Sequence, residues 1–149
     1  MKITKPRLYA LLLILGSAFL FYRTLHLVIT GNLSIFTWWV SALLILEMAT
    51  DLACLAASAW WYRINDPDRD RLPLRLGTAV VLLHAFRVLI FVLGRTGPWI
   101  NFDVRPEFHA THGERWSWTA VWFAALMSIL GMAAVLLIWL IRRGKRRNR

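Results

Sequence analysis

Six ionisable side chains stand inside apolar stretches of this chain. They are Arg23 and His26, Glu47 and Asp51, and His84 and Arg87. A charge at mid-bilayer costs roughly 2.5–3.5 kcal/mol on insertion scales, so such groups are expected to face inward and pair. Glu47 and Asp51 are four residues apart and share one helix face, which Cys54 and Ser58 continue. His84 and Arg87 are three apart and again share a face. If their two helices run antiparallel, the register that sets Arg87 level with Glu47 sets His84 level with Asp51. Arg23 lies slightly outward of Arg87, so Glu47 is expected to meet two arginines.

Several chemistries fit these types. Two carboxylates and two arginines with neutral histidines make a self-neutralised network that holds helices in register. The same groups could hold a ligand or pass a proton. Two carboxylates one turn apart repel in low dielectric, and Arg87 fully compensates only one. Asp51 is then the one expected to carry a proton. A purely structural network would instead keep Asp51 ionised against a charged His84. No cofactor is expected; haem is the alternative, with His26 or His84 as ligand. These two histidines differ in depth by roughly 12 Å at 1.5 Å per residue, so one haem between them is disfavoured. A partner subunit would have to supply the second ligand.

The elements that position these residues follow from hydropathy. Of 149 residues, 58% are hydrophobic and 17% charged, yet the formal net charge is +10. Soluble domains carry about 45–50% apolar residues, and a chain this short has little interior in which to hide more. A bilayer core of about 30 Å needs about 20 apolar residues in helix. Four segments qualify, at about 8–29, 36–62, 73–93 and 117–141. The expected fold is an all-α, four-helix transmembrane bundle forming a single membrane domain over 1–149. The first segment runs on past Gly16-Ser17-Ala18 into Phe19-Leu20-Phe21 without a small-x-small cleavage site, so it is read as retained. The fourth has no ionisable residue and carries Ala120, Ala124 and Ser128 at four-residue spacing, a ridge along which another helix can approach.

Lys and Arg set the orientation. Thirteen fall in the N-terminal tail, the 63–75 loop and the C-terminal tail, against three (Arg95, Arg105, Arg115) on the other side. Both termini are therefore expected in the cytoplasm of an inner membrane. Tryptophans at 38, 39, 60, 61, 116, 118 and 139 fall near span ends, where the indole N–H can stay wet. The basic tail 142–149 is expected to meet anionic lipid rather than nucleic acid, since no recognition module accompanies it.

The outer loop, 94–116, is rich in aromatics and is expected to fold over the bundle mouth or meet a partner. His109 and His112 form a His-x-x-His flanked by Glu107 and Glu114, a weak metal candidate because no third ligand has a recognised spacing. The lone Cys54 excludes an intrachain disulfide and reads as a small core residue. No catalytic signature is present.

The second to fourth spans resemble the sterol-isomerase and sigma-2-receptor superfamily, EXPERA. The likeness rests on Leu46-Glu47-Met48 and on His112-Gly113-Glu114. It implies a four- or five-helix bundle binding a sterol-like or cationic amphiphile, with Glu47 and Asp51 as receiving carboxylates and isomerase chemistry as an extension. The chain departs from the pattern in the first span, where Arg23 and His26 stand in place of an acid, and in the fourth, which lacks proline and intramembrane Asn. The expectation carried forward is a non-enzymatic accessory or assembly subunit, associating with other membrane subunits or with itself. The alternatives are amphiphile binding and a haem-bearing redox subunit.

Overall fold

A computed structural model describes residues 4–31, 33–95 and 97–110, with 122, 125, 126, 129 and 130. Among these residues there are three long helices and no β-strand: α1 (Lys5–Gly31), α2 (Trp38–Ile64) and α3 (Arg71–Leu93). All three are long and apolar enough to cross a membrane. At 1.5 Å per residue the 27 residues of α1 reach about 40 Å. Most of the fourth expected span, with its ridge at Ala120, Ala124 and Ser128, lies outside the described residues. Of that span, residues 122, 125, 126, 129 and 130 are described, and they are helical.

The helices are apolar outside and polar inside. Leu12, Leu15, Phe19, Ile45, Leu52, Leu82, Phe86 and Leu89 are exposed, while Ser17, Thr24, Glu47, Asp51, Ser58 and His84 are buried. Such a distribution suits lipid, where backbone groups must be satisfied within the helix and only polar side chains need the interior. Thr30, Thr50 and Thr78 tolerate outward positions because each hydroxyl donates to the carbonyl four residues back, at 2.7, 2.7 and 2.8 Å. The helix α2 packs against both neighbours, and α1 touches α3 less. Gly77 permits that closer approach: a Cβ there would meet Leu13 Cδ2 at 2.9 Å.

Two apolar plugs close the ends of this polar interior. At one end, buried Trp61 packs with Ala10 and Leu13, flanked by Tyr9, Tyr62 and Leu74. Its indole N–H donates to the Asp66 carbonyl at 2.8 Å. Asn65 ends α2 in the left-handed conformation (φ 54°), which asparagine adopts readily. Its side chain accepts from the Thr4 hydroxyl, tying the chain's start to the α2–α3 loop. At the opposite end Leu27, Ile35, Phe36, Val40, Leu44, Ile90, Phe91 and Val104 form the larger cluster.

The segment after α3 folds back over that end. Phe36 and Val104 form an antiparallel bridge, and Phe36 stacks on Phe91 with ring centroids 5.8 Å apart. The Arg105 N–H donates to the Ile35 carbonyl at 3.0 Å, and its Nε to that of Phe36 at 3.0 Å. Trp39 stacks on Phe102. The loop is thus docked on the bundle mouth by backbone pairing as well as by aromatic packing.

Candidate functional site

The polar interior centres on four side chains, and helical spacing sets them there. Val40, Leu44, Glu47, Asp51, Cys54, Ser58 and Trp61 are the buried positions of α2, separated by three or four residues. On α3 the buried positions include Gly77, Val80, Val81, His84, Arg87 and Ile90. The antiparallel crossing then brings the pairs level. Glu47 and Asp51 are 0% exposed, His84 2% and Arg87 9%.

The side chains form a linked row. Arg87 Nε donates to Glu47 Oε1 at 3.0 Å and lies 2.8 Å from Oε2 as an ion pair. Arg87 Nη2 lies 2.8 Å from His84 Nδ1. His84 Nε2 lies 3.1 and 3.2 Å from the two oxygens of Asp51. From α1, the Thr24 hydroxyl donates to Glu47 Oε2 at 3.4 Å. The guanidinium also sits over the face of Phe91, 5.8 Å from the ring centroid.

Donor and acceptor counting selects the tautomer of neutral His84 that fits these contacts. A guanidinium has only donors, so His84 Nδ1 must accept and carries no hydrogen. The hydrogen of neutral His84 is then on Nε2 and is donated to Asp51. In this arrangement His84 is uncharged and Asp51 accepts. The contact of Arg87 Nη2 with the ring is not revealed by residue spacing. With one arginine against two carboxylates, the quartet holds one net negative charge.

Arg23 and His26 do not join the quartet. Both are exposed on the outward side of α1, where the ring of His26 meets Tyr22 at 6.2 Å between centroids. The buried face of α1 is Ala10, Leu13, Ser17, Thr24 and Leu27, and each predicted residue precedes an inward one. A step of one residue turns a helix by about 100°, so both swing away from the interior. Glu47 therefore meets Arg87, and its second inward partner is Thr24. A long cationic side chain in the end third of a span can instead reach the interface by extending along the helix.

Below Asp51 the interior stays polar. Cys54 Sγ lies 3.9 Å from Ser58 Oγ, and Ser17 of α1 also reaches Cys54. Residue type alone does not single out Ser17 and Thr24. Their signal is the seven-residue spacing of small hydroxyls, two turns on one face.

His109 Nε2 donates to the Val104 carbonyl at 3.0 Å and so helps close the docked loop. His112 lies outside the described residues. Among those residues no three His, Cys, Asp or Glu side chains gather as a metal-binding group.

The docked loop holds a second buried charge. Asp103 is buried, and its Oδ1 has no hydrogen-bond partner among the described residues. Its carboxylate presses on Gly94, where any Cβ would collide with it. Burial pushes the Asp103 carboxyl above the ordinary carboxylate range; its own backbone N–H, Arg95 and His109 pull the other way. A raised folded-state value means stability present below the unfolded value of about 4 and lost as pH rises through the folded one. Asp103→Asn is therefore expected to remove that loss and to steady the loop at neutral pH by about 1 kcal/mol. Hydrogen exchange at the Val104 and Arg105 amides, corrected for intrinsic rates, should slow at neutral pH. Faster exchange in the variant would contradict this account of Asp103.

No protein-family model, curated protein or solved structure matches the chain.

Proposed function

We propose that this is a non-enzymatic accessory or assembly subunit of an inner-membrane complex, a four-span bundle with both termini cytoplasmic. The observation that carries the reading is that the polar quartet is closed on itself. Both oxygens of Glu47 and of Asp51 are engaged, both ring nitrogens of His84 are engaged, and an apolar plug lies at either end. Groups satisfied in this way hold α2 on α3 and leave little to offer a ligand. An amphiphile would have to displace Arg87 or His84 from the carboxylates. Haem iron would find no unoccupied nitrogen on His84, and His26 faces outward.

The surface supports a partner. Tyr22, His26 and Thr30 are exposed along one side of α1, an unusual set for a surface facing hydrocarbon. A partner helix bearing an acidic or hydroxyl side chain complements them. Anionic lipid at the basic tail 142–149 fits the positive-inside orientation, as does the thirteen-to-three Lys/Arg count.

Copurification from native membranes tests the reading. Another integral membrane protein should accompany the chain in fixed ratio. Tyr22→Ala with His26→Ala should reduce that yield about tenfold, equivalent to roughly 1.4 kcal/mol of binding, while the variant still inserts. Recovery of the wild-type chain with lipid alone, or with a stoichiometric amphiphile or haem, would overturn it. For the orientation, alkaline phosphatase fused to the C-terminus should be inactive; activity in the periplasm refutes it.

A further inference from the structure

The quartet is buried with one net negative charge, and one of its atoms is placed to correct that. His84 Nδ1 faces Arg87 Nη2 at 2.8 Å and also stands 3.6 Å from Glu47 Oε2. Across the ring, Nε2 already donates to Asp51. The imidazole therefore lies between the two carboxylates, with the guanidinium occupying the nitrogen that would complete the bridge.

We propose that the quartet is a proton-binding site, and that His84 Nδ1 is the atom that takes the proton. The proton comes from water and forms a new N–H bond at Nδ1. Arg87 Nη2 keeps its own hydrogen and withdraws from the ring. The new N–H turns to Glu47 Oε2, and Nε2–H stays on Asp51. No other bond is made or broken. Charge in the quartet falls from one negative to zero, which low dielectric favours. Arg87 is not stranded, because its Nε remains on Glu47 and its plane on Phe91.

The groups facing His84 are few. From α2 they are Glu47 and Asp51, with Cys54 one turn beyond Asp51; from α3, Arg87. The polar residues that α1 buries beside them, Thr24 and Ser17, do not titrate. Ser17, Cys54 and Ser58 extend the polar interior from Asp51 toward the Trp61 end. In the protonated form one imidazolium bridges two carboxylates of α2 from α3. Proton binding thus exchanges a bent guanidinium link for a direct bridge and ties the helix packing to pH. The accessory-subunit reading does not depend on this.

The test uses 15N-labelled protein in lipid bilayers with His26→Gln, His109→Gln and His112→Gln, which leaves His84 as the only histidine. At alkaline pH the ring should show one bare and one protonated nitrogen, the bare one close to an arginine nitrogen. At acidic pH both should be protonated, with Nδ1 now near the Glu47 carboxylate and no longer near an arginine nitrogen. A bare Nδ1 that persists at acidic pH overturns the proposal. So does a carboxylic-acid signal from Glu47 or Asp51 appearing in place of the second ring proton. Should the triple variant not fold, the unaltered protein serves, with the His84 ring assigned through its backbone connection to Leu83 and Ala85.

Discussion

Glu47→Gln is expected to destabilise the helix assembly by about 3–5 kcal/mol, the usual cost of removing one partner from a buried ion pair. Arg87 would then lie 9% exposed with an amide in place of its counter-charge. In the unaltered protein Nε reaches both Glu47 oxygens, and the Thr24 hydroxyl donates to one of them. Glu47→Gln combined with Arg87→Leu should recover part of the loss. Recovery stays incomplete because Arg87 Nη2 also donates to His84 Nδ1, which the leucine leaves unmatched. Unfolding in mixed micelles measures both. If the double variant loses the sum of the single losses, the two side chains are not coupled.

Trp61→Ala is expected to cost a similar amount, about 3–5 kcal/mol, for a different reason. Among the described residues Trp61 is the largest fully buried side chain, and it fills the plug between Ala10, Leu13 and the α2–α3 loop. Its removal leaves a cavity beside Ala10 and Leu13 and deletes the bond to the Asp66 carbonyl. Trp61→Phe should keep most of the packing and lose about 1 kcal/mol through that hydrogen bond. The same micelle unfolding separates the two variants. Equal losses for Ala and Phe would mean that the indole N–H, not the packing, holds this end.

The three described spans are legible in the sequence because their apolar length is fixed by the bilayer. Their ends are less so, and each shift has a local cause. Hydropathy starts the second span at 36, but Phe36 pairs with Val104 and the Thr37 N–H donates to the Asp103 carbonyl, so α2 starts at Trp38. No local pattern announces a partner so distant in the chain. Hydropathy starts the third span at Pro73, yet α3 begins at Arg71. Proline is tolerated there because first-turn N–H groups have no intrahelical acceptor.

The site is legible where register alone decides. Levelling Glu47 with Arg87 needs only antiparallel helices and a short loop, and the structure has both contacts of that register. Arg23 and His26 fall outside the site because helical period outweighs insertion cost. The inward stripe through Leu13, Ser17, Thr24 and Leu27 leaves them on the outside. Hydrogen-bond direction within the quartet is not legible in the sequence at all. It depends on which guanidinium nitrogen meets the ring.

The central claim is that α2 and α3 are locked by a closed row of four buried side chains. Solid-state NMR distances in lipid bilayers, between the Glu47 carboxyl carbon and the Arg87 guanidinium nitrogens, test it most directly. A short separation is expected, within about 4 Å of Nε as in a formed ion pair, unchanged by added salt because a buried pair is little screened. A separation well beyond that range, or one that lengthens as salt is raised, would contradict the claim.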